Sequence, residues 1–353
     1  MNYLKMRSSV TSRLRQNNEI LYLATKWSPD PEWYRGNNEF LSHSAKCRPD
    51  SCLNRASKSA AIHRFMIFRI THKTVYRYKT PASESYGELR NCPQSNHAQT
   101  VRKRRLQIEP KTPLRHYYDF FGNYVEFFSI PKRHETLSVH STAEVETTPQ
   151  FMPDAAQTIT VAEARQILQT RQLNHYVYLR PTSMVPLHQI LQPFKRDFIK
   201  SSQPLDQALL QLNQWIYKNM KYQSGSTTVS TPLETVIRKR TGVCQDFAHL
   251  MLSILRTYGI PARYVSGYIE AYDPETADPA LVGATASHAW VEVYLPGGHW
   301  VGLDPTNNQI AGERHVRVAV GRDYRDVSPL RGTYKGASDQ KLQVIVSVTR
   351  KRS

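Results

Sequence analysis

The sequence predicts an α+β protein with an antiparallel β domain followed by a core of helices and strands. Three observations support this class. β-Branched and aromatic residues alternate between residues 65 and 150, apolar residues then recur at intervals of three and four, and a strand hairpin follows the last strongly periodic helix. We therefore divide the chain into a basic, disordered extension (1–64), a β-rich domain (65–150) and a core that includes the C-terminal strands (151–353).

Composition indicates a soluble globular protein in a reducing compartment. The chain has 353 residues, of which 40% are hydrophobic, enough to build ordinary cores. Its four cysteines (Cys47, Cys52, Cys92 and Cys244) are too few and too unevenly spaced for a disulfide scaffold. Cys47 and Cys52 have no partners at zinc-ligand spacing, and no apolar run is long enough to span a membrane. We expect a cytoplasmic protein with no metal, cofactor or membrane association.

The net charge of +18 raises the question of nucleic-acid binding. Residues 1–65 contain 11 Lys and Arg against five Asp and Glu, and "VRKRR" at 101–105 forms a second basic cluster. The remaining charge is dispersed, and basic residues are not interleaved with aromatic ones in a binding module. We interpret the charge as a solvated surface that attracts anions, and we do not expect nucleic acid to be the main partner.

Residues 1–64 show no sustained period and contain polar stretches such as "RSSVTSRLRQNN". We expect this extension to be dispensable, and Met66 could be the true start codon. Strand chemistry begins with "FMIFRITHKTVYRY" and continues through "RRLQIEP", "YYDFFGNYVEFFSIP" and "LSVHSTAEVETTP". Gly122 and Asn123 tolerate a positive φ and predict a hairpin turn.

Helices are predicted after residue 150. Thr160 and Glu163 have the spacing of a capping box before an apolar run. The segment "PLDQALLQLNQWIYKNM" predicts an amphipathic packing helix. Its apolar face is formed by Leu205, Leu209, Leu212, Ile216 and Met220. A polar loop and a short helix then lead towards Cys244.

Cys244 stands where "TGVCQDFAHLMLSIL" begins a long helix that Gly259 and Pro261 end. A lone cysteine usually serves packing. At a helix N-terminus, however, free N–H groups and the helix dipole favour a thiolate and could also hold an oxyanion. Asp246 in the first turn is interpreted as a carboxylate that stabilises the helix start.

A histidine and an aspartate are expected on one hairpin within "ASHAWVEVYLPGGHWVGLDPTNN". His288 begins an alternating strand, and the partner strand ends at Asp304. A three-residue loop, Pro296–Gly298, makes the two residues diagonal neighbours on one face, whereas a two-residue loop would separate them. We therefore predict an odd-length loop or a compensating bulge, a carboxylate–imidazole hydrogen bond of about 2.7–3.2 Å and the Cys244 sulfur on the other side of the imidazole.

These residues resemble the transglutaminase-like superfamily of papain-type thiol enzymes, in its bacterial branch. The stretches that carry the resemblance are "TGVCQDFAHLMLSILRTYGIPARYVSGYI", "ASHAWVEVYLPGGHWVGLDPTNN" and "HVRVAVGRDYRDVSPLRG". The β region from Met66 to about Thr148 also resembles the N-terminal domain of this branch, so the resemblance covers roughly 66–349. It implies a papain/transglutaminase-like catalytic core from residue 151 onward.

The resemblance implies a nucleophile at Cys244, an imidazole partner at His288 and an orienting carboxylate at Asp304. Some eukaryotic-type members stabilise the oxyanion with a tryptophan upstream of the cysteine, and this chain has no Trp between Trp215 and Cys244. Tyr222 and Gln245 are candidates for binding the oxyanion or substrate, although a tyrosine at position 222 is more typical of a packed aromatic residue.

The sequence thus predicts a cysteine acyl-transfer enzyme. Its cysteine attacks an amide carbonyl of a protein or peptide, and the acyl group is then held on the sulfur as a thioester. Water as acceptor would make it a protease or amidase, which we favour because a triad needs no acceptor site. A primary amine would make it a transglutaminase. The alternative is a non-catalytic binding module that keeps the fold and recruits an acidic partner.

Overall fold

A computed structural model describes residues 65–351 apart from 171, 172, 174, 195, 196, 272–279, 284–286, 337 and 338. The expectations for residues 1–64, including Cys47 and Cys52, lie outside these residues. No helix in the described ranges has the length and apolarity needed to cross a bilayer.

The N-terminal region is a seven-stranded sheet organised around one long strand. Its first five strands are β1 (Met66–Leu89), β2 (Gln99–Glu109), β3 (Leu114–Tyr118), β4 (Tyr124–Ile130) and β5 (His134–Thr147). They are hydrogen-bonded in the order β2-β5-β1-β4-β3, and every pair is antiparallel. The predicted antiparallel β domain is therefore confirmed, and Gly122, with φ of 77°, lies in the predicted hairpin between β3 and β4.

Helices precede the second sheet, as the change of period predicts. They are α1 (Asp154–Thr158), α2 (Val161–Gln169), α3 (Leu205–Asn219), α4 (Leu233–Lys239) and α5 (Cys244–Thr257). Thr160 and Glu163 form the predicted capping box of α2, with Glu163 N–H donating to Thr160 Oγ1 at 3.2 Å and Thr160 N–H donating to Glu163 Oε2 at 2.7 Å.

The second sheet is antiparallel and supports α5. Its strands are β8 (Ala262–Ile269), β9 (His288–Leu295), β10 (His299–Asp304), β11 (Gln309–Ile310) and β12 (His315–Gly321), in the order β11-β10-β9-β8-β12. A separate parallel pair is formed by β6 (Lys221–Tyr222) and β7 (Thr241–Gly242). Helix α5 packs on β8 and β9 and is buried along most of its length, because its apolar residues recur on more than one face.

The chain ends by returning to the first sheet. After α6 (Tyr324–Val327), strands β13 (Leu330–Lys335) and β14 (Gln340–Arg350) both pair with β1. The sequence predicts that these strands belong with residues 151–353, whereas their hydrogen bonds are made to the N-terminal sheet. Helix α6 packs on β12 and β8 of the second sheet.

Candidate active site

Cys244 is the first residue of α5 and is buried, with 9% of its surface exposed. The helix start is fixed by Asp246, whose Oδ2 accepts the Val243 N–H at 2.8 Å and the Thr227 hydroxyl at 2.6 Å. A Cβ on Gly242 would lie 2.7 Å from the same oxygen, so the turn before the cysteine requires glycine. Asp246 therefore acts as the predicted helix-start carboxylate. Burial raises its pKa, although the hydrogen bonds from Thr227 and Val243 oppose the shift.

The β9–β10 hairpin brings His288 and Asp304 together. Leu295 pairs with His299 across a three-residue loop, which confirms the predicted register. His288 Nε2 donates to Asp304 Oδ2 at 2.9 Å, within the predicted range, and both side chains are inaccessible to solvent.

Asp304 accepts hydrogen bonds from several groups besides His288. Oδ2 also accepts from Asn307 Nδ2 at 2.8 Å and from His315 Nε2 at 3.2 Å. Oδ1 accepts the backbone N–H groups of Thr306 at 2.9 Å and Asn307 at 3.3 Å. Burial alone would raise the pKa of Asp304, but the charge of His288 and the hydrogen bonds from His288 and His315 hold it far below its usual range. The carboxylate is therefore anionic and fixed in orientation.

The His288 imidazole is held in its charged form. Burial would lower its pKa, but the Asp304 carboxylate and then Cys244 more than offset this effect, so the pKa is raised. The Cys244 sulfur thus lies beside the ring, while Nε2 is bonded to Asp304. Nδ1 has no hydrogen-bond partner among the described residues. In enzymes without substrate, the contact between a nucleophile and its base is often long and tightens only when substrate binds.

Glycine and tryptophan complete the packing around the imidazole. Gly267 on β8 is the cross-strand partner of His288, and a Cβ there would collide with the Trp290 ring and the Val316 carbonyl oxygen. Trp290 in turn lies against both imidazoles, with its ring 6.2 Å from that of His288 and 5.2 Å from that of His315. The imidazole is therefore enclosed by side chains that limit its rotation.

Tyr222 and Gln245, the candidates for binding the oxyanion or substrate, differ in their surroundings. Tyr222 is half-buried at the end of β6, and its pKa is raised by burial and then by Cys244, so a protonated hydroxyl lies near the sulfur. This position suits a donor to an oxyanion. Gln245 directly follows Cys244 and is half-buried, and its side chain makes no hydrogen bond within the described ranges.

Sequence reasoning did not identify His315, Asn307 or Trp290 as members of this site. His315 comes from β12, on the far side of β8, so its approach to Asp304 depends on the strand order of the whole sheet. Asn307 lies three residues after Asp304 in "DPTNN", a spacing typical of side chains that close a local turn. That spacing could have identified it.

His288, Asp304 and His315 also satisfy a distance criterion for a metal site, with their ligand atoms within 4.8 Å of one another. The hydrogen bonds to Asp304 Oδ2, however, require a proton on Nε2 of both histidines. These two nitrogen atoms therefore carry a proton and donate it to Asp304, so they have no lone pair for a metal ion. This chemistry fits a histidine pair that orients a carboxylate better than it fits a metal centre.

Comparison with known proteins identifies the family to which the chain belongs. Residues 192–305 match the model of the transglutaminase-like superfamily, and residues 68–146 match that of the bacterial transglutaminase-like N-terminal region. An uncharacterized protein of Mycobacterium leprae is 35% identical over 285 residues, which are 80% of this chain and 98% of that protein. The chain therefore belongs to the transglutaminase-like superfamily, in the group with a bacterial N-terminal region.

Of two further similarities, the first is lower in identity and the second is shorter. The crystal structure of a candidate cysteine protease from Cytophaga hutchinsonii superposes with a TM-score of 0.66 at 23% identity, covering 82% of this chain and 92% of that one. This similarity establishes the shared fold. A protein-glutamine gamma-glutamyltransferase of Pseudomonas aeruginosa is 41% identical over 75 residues, which are 21% of this chain and 11% of that protein.

Proposed function

We propose that the protein is a cysteine acyl-transfer enzyme that cleaves an amide of a peptide or protein substrate, with Cys244, His288 and Asp304 as its catalytic triad. The observation that carries the proposal is the hydrogen-bonded His288–Asp304 pair beside a cysteine at the first position of a helix. A buried imidazole and carboxylate with strongly shifted pKa values are typical of catalytic sites.

In the first step the Cys244 thiolate adds to the amide carbonyl carbon and gives a tetrahedral oxyanion. We infer that the N–H groups at the start of α5 and the Tyr222 hydroxyl donate to that oxygen, because the helix begins at Cys244 and Tyr222 is close enough to Cys244 for its pKa to be raised by it. The His288 imidazolium then gives a proton to the amide nitrogen, the C–N bond breaks, and an amine or ammonia leaves. The acyl group remains on sulfur as a thioester.

In the second step an acceptor attacks the thioester. Neutral His288 takes a proton from the acceptor, the C–S bond breaks, and the thiolate–imidazolium pair is restored. With water the product is a carboxylic acid, and with a primary amine it is a new amide. We favour water because the triad needs no acceptor site, and the partial similarity to a glutamyltransferase makes amine transfer the second candidate.

The test has two stages on the full chain. Iodoacetamide labelling followed by peptide mapping at pH 6 measures whether Cys244 reacts faster than a model thiol. A set of glutamine-bearing peptides is then incubated with the protein, with and without a primary amine, and the products are identified by mass. Cys244→Ala is the matched control, and Cys92→Ala removes the other described free cysteine, which is buried beside Glu126.

Hydrolysis predicts a carboxylic acid product whether or not the amine is present, and transfer predicts an amine adduct. If Cys244 reacts no faster than a model thiol and its alkylation changes no activity, the enzymatic proposal fails. The protein would then be a binding module of the same fold.

A further inference from the structure

Strand β14 (Gln340–Arg350) forms an open edge of the N-terminal sheet. It pairs with β1 in one continuous register, and no other strand of the described structure pairs with it. In this register the Lys351 N–H donates to the Ile67 carbonyl oxygen. Because hydrogen-bonded and non-hydrogen-bonded pairs alternate in an antiparallel ladder, the odd-numbered residues of β14 bond to β1. The N–H and C=O groups of its even-numbered residues therefore point to the outer edge.

Three even-numbered residues in the middle of β14 keep this edge open. Leu342, Val344 and Val346 make no backbone hydrogen bond on the outer side within the described part of the chain. Val348 differs, because its carbonyl oxygen accepts the Ala271 N–H at 3.3 Å. The open part of the edge therefore ends before Val348.

The side chains along this open edge are apolar and exposed. Leu342 is 55% exposed, Val344 47% and Ile345 51%. No charged residue lies between Lys341 and Arg350. A long, regular edge strand with exposed apolar side chains is a template for pairing with another chain, because its peptide groups and its side chains both gain partners.

The opposite edge of the same sheet is protected against such pairing. Strand β2 has the same length as β14, but it carries four consecutive cations at 102–105 and a register shift between Val101 and Lys103. Charges and bulges are common means by which proteins prevent edge-to-edge association. The central part of β14 has neither of them. This contrast indicates that β14 has a partner strand.

We propose that β14 pairs antiparallel with β14 of a second copy of this chain, about a two-fold axis at Val344. Hydrogen-bonded pairs then join Leu342 to Val346 of the partner subunit and Val344 to Val344 of the partner subunit. This register uses all three open positions and leaves the bond from Ala271 to Val348 intact. The two N-terminal sheets become one continuous sheet across the axis.

The side chains of β14 are complementary to themselves in this register. On one face, exposed leucine and valine side chains cover each other. On the other face, Ile345 lies opposite Gln343 of the partner subunit, and Lys341 lies opposite the uncharged Ser347 of the partner subunit. The chain has a net charge of +18, so two copies repel each other over much of their surface. Through residues 341–347 they can pair without opposing cations.

The first measurement is the mass of the full chain in solution as a function of its concentration, by sedimentation equilibrium. One chain has a mass of 40.7 kDa. We expect the average mass to approach twice this value between about 1 and 100 µM, since the interface is small. Because a two-fold interface is closed, the mass should not exceed that of two chains. Higher salt should strengthen the dimer by screening the repulsion between two basic chains.

Two substitutions at the axis test the strand pairing. Val344→Lys places two like charges opposite each other, and Val344→Pro removes the outward N–H but keeps an apolar side chain. An edge strand accepts proline where the N–H does not bond to its neighbour, so the fold should be kept. By symmetry Val344→Pro removes two intersubunit hydrogen bonds, and the dissociation constant should rise at least about tenfold.

The matched controls are Val229→Lys and Val229→Pro. Val229 is 49% exposed and stands second in a turn that the Thr231 N–H closes on the Thr228 carbonyl oxygen, a position that accepts proline. Both controls should dimerise like the unchanged chain. Melting temperatures of the Val344 variants should match those of these controls when all are measured as monomers.

A cross-link tests the register itself. Hydrogen-bonded antiparallel pairs hold their Cα atoms about 5.5 Å apart, which is a distance that a disulfide spans. Val344→Cys, oxidised with copper phenanthroline, should therefore give a covalent dimer whose linked peptide joins residue 344 to residue 344. Val229→Cys, which introduces a thiol at a site of similar exposure, should give no such link at residue 229.

The outcomes decide between β14 and other contacts. A chain that stays monomeric at the highest concentration, or whose mass keeps rising beyond two copies, contradicts the proposal. A dimer that persists in both Val344→Lys and Val344→Pro uses another surface and overturns it. Equal loss of the dimer in the Val229 controls assigns the association to general surface properties and also contradicts it. None of these results depends on Cys244, so the proposed function is tested separately.

Discussion

Replacing Asn307 should impair the triad although Asn307 touches neither Cys244 nor, by our scheme, the substrate. Its Nδ2 donates to Asp304 Oδ2 at 2.8 Å and to the Val282 carbonyl at 3.3 Å, and its Oδ1 accepts the Val282 N–H at 2.8 Å. A Cβ on the next residue, Gly283, would lie 3.0 Å from His288 Nδ1. Asn307 thus fixes the Asp304 carboxylate. Through its two hydrogen bonds to Val282 it also fixes the backbone that lies beside the His288 imidazole.

The magnitude follows from the hydrogen bonds removed in Asn307→Ala. A bond to a charged group contributes about 1.5–3 kcal/mol, and the lower end applies because Asn307 is only partly buried. The backbone N–H of residue 307 still donates to Asp304 Oδ1. If this free energy is added to the activation barrier for alkylation of Cys244, the alkylation rate at pH 6 should fall about tenfold to thirtyfold.

The assay is the second-order rate of Cys244 alkylation by iodoacetamide between pH 5 and 9, which needs no known substrate. Asn219→Ala is the control, since Asn219 donates only to the Trp215 carbonyl in α3. Asn307→Asp distinguishes positioning from packing, because the introduced carboxyl can donate to Asp304 only when protonated. Its rate relative to Asn307→Ala should therefore rise as the pH falls. Unchanged rates in Asn307→Ala, or a ratio that does not depend on pH, would refute the positioning role.

Further predictions concern the triad, the packing near it and the buried histidines. Cys244→Ala should abolish turnover with little change in melting temperature, since alanine is tolerated at a helix start, and retained turnover would exclude Cys244. His288→Ala should lower turnover comparably, and the double variant should be little worse than either single one; additive losses would place His288 in another role. Gly283→Ala should slow alkylation of Cys244, because a methyl group and a positive φ of 96° are unfavourable beside His288 Nδ1, and an unchanged rate would contradict that packing. Burial, and then Arg256, lowers the pKa of His249 to about 3. Between about pH 3 and pH 6.5, His249 therefore stays neutral in the folded protein, whereas it takes up a proton in the unfolded chain. Stability should therefore fall as the pH drops below about 6.5, by about 2 kcal/mol at pH 5 for this residue, and His249→Gln should remove that loss in urea unfolding.

Much of the site could be predicted because it depends on local rules. His288 and Asp304 lie on the same face of the hairpin because its turn has three residues, a length that the glycine pair in "PGG" favours. The position of Cys244 at a helix start follows from the apolar period behind it and the glycine before it. Neither inference needs the order of strands in the sheet.

The remaining features depend on long-range pairing that a single sequence does not specify. His315 reaches Asp304 because its strand, β12, pairs with β8 on the side opposite β9. Gly267 on β8 has no side chain and leaves room between His315 and His288. Likewise, β14 could have joined either sheet by its alternating pattern, and it pairs with β1.

The most direct test of the central proposal is to trap the acyl group on Cys244. The full chain is mixed with p-nitrophenyl acetate, quenched in acid and analysed by intact mass and peptide mapping. The triad predicts one acetyl group, attached to Cys244 and removed by hydroxylamine, that is absent from Cys244→Ala and forms much more slowly in His288→Ala. Acetylation elsewhere, or at Cys244 with a rate that does not depend on His288, would contradict the proposed mechanism.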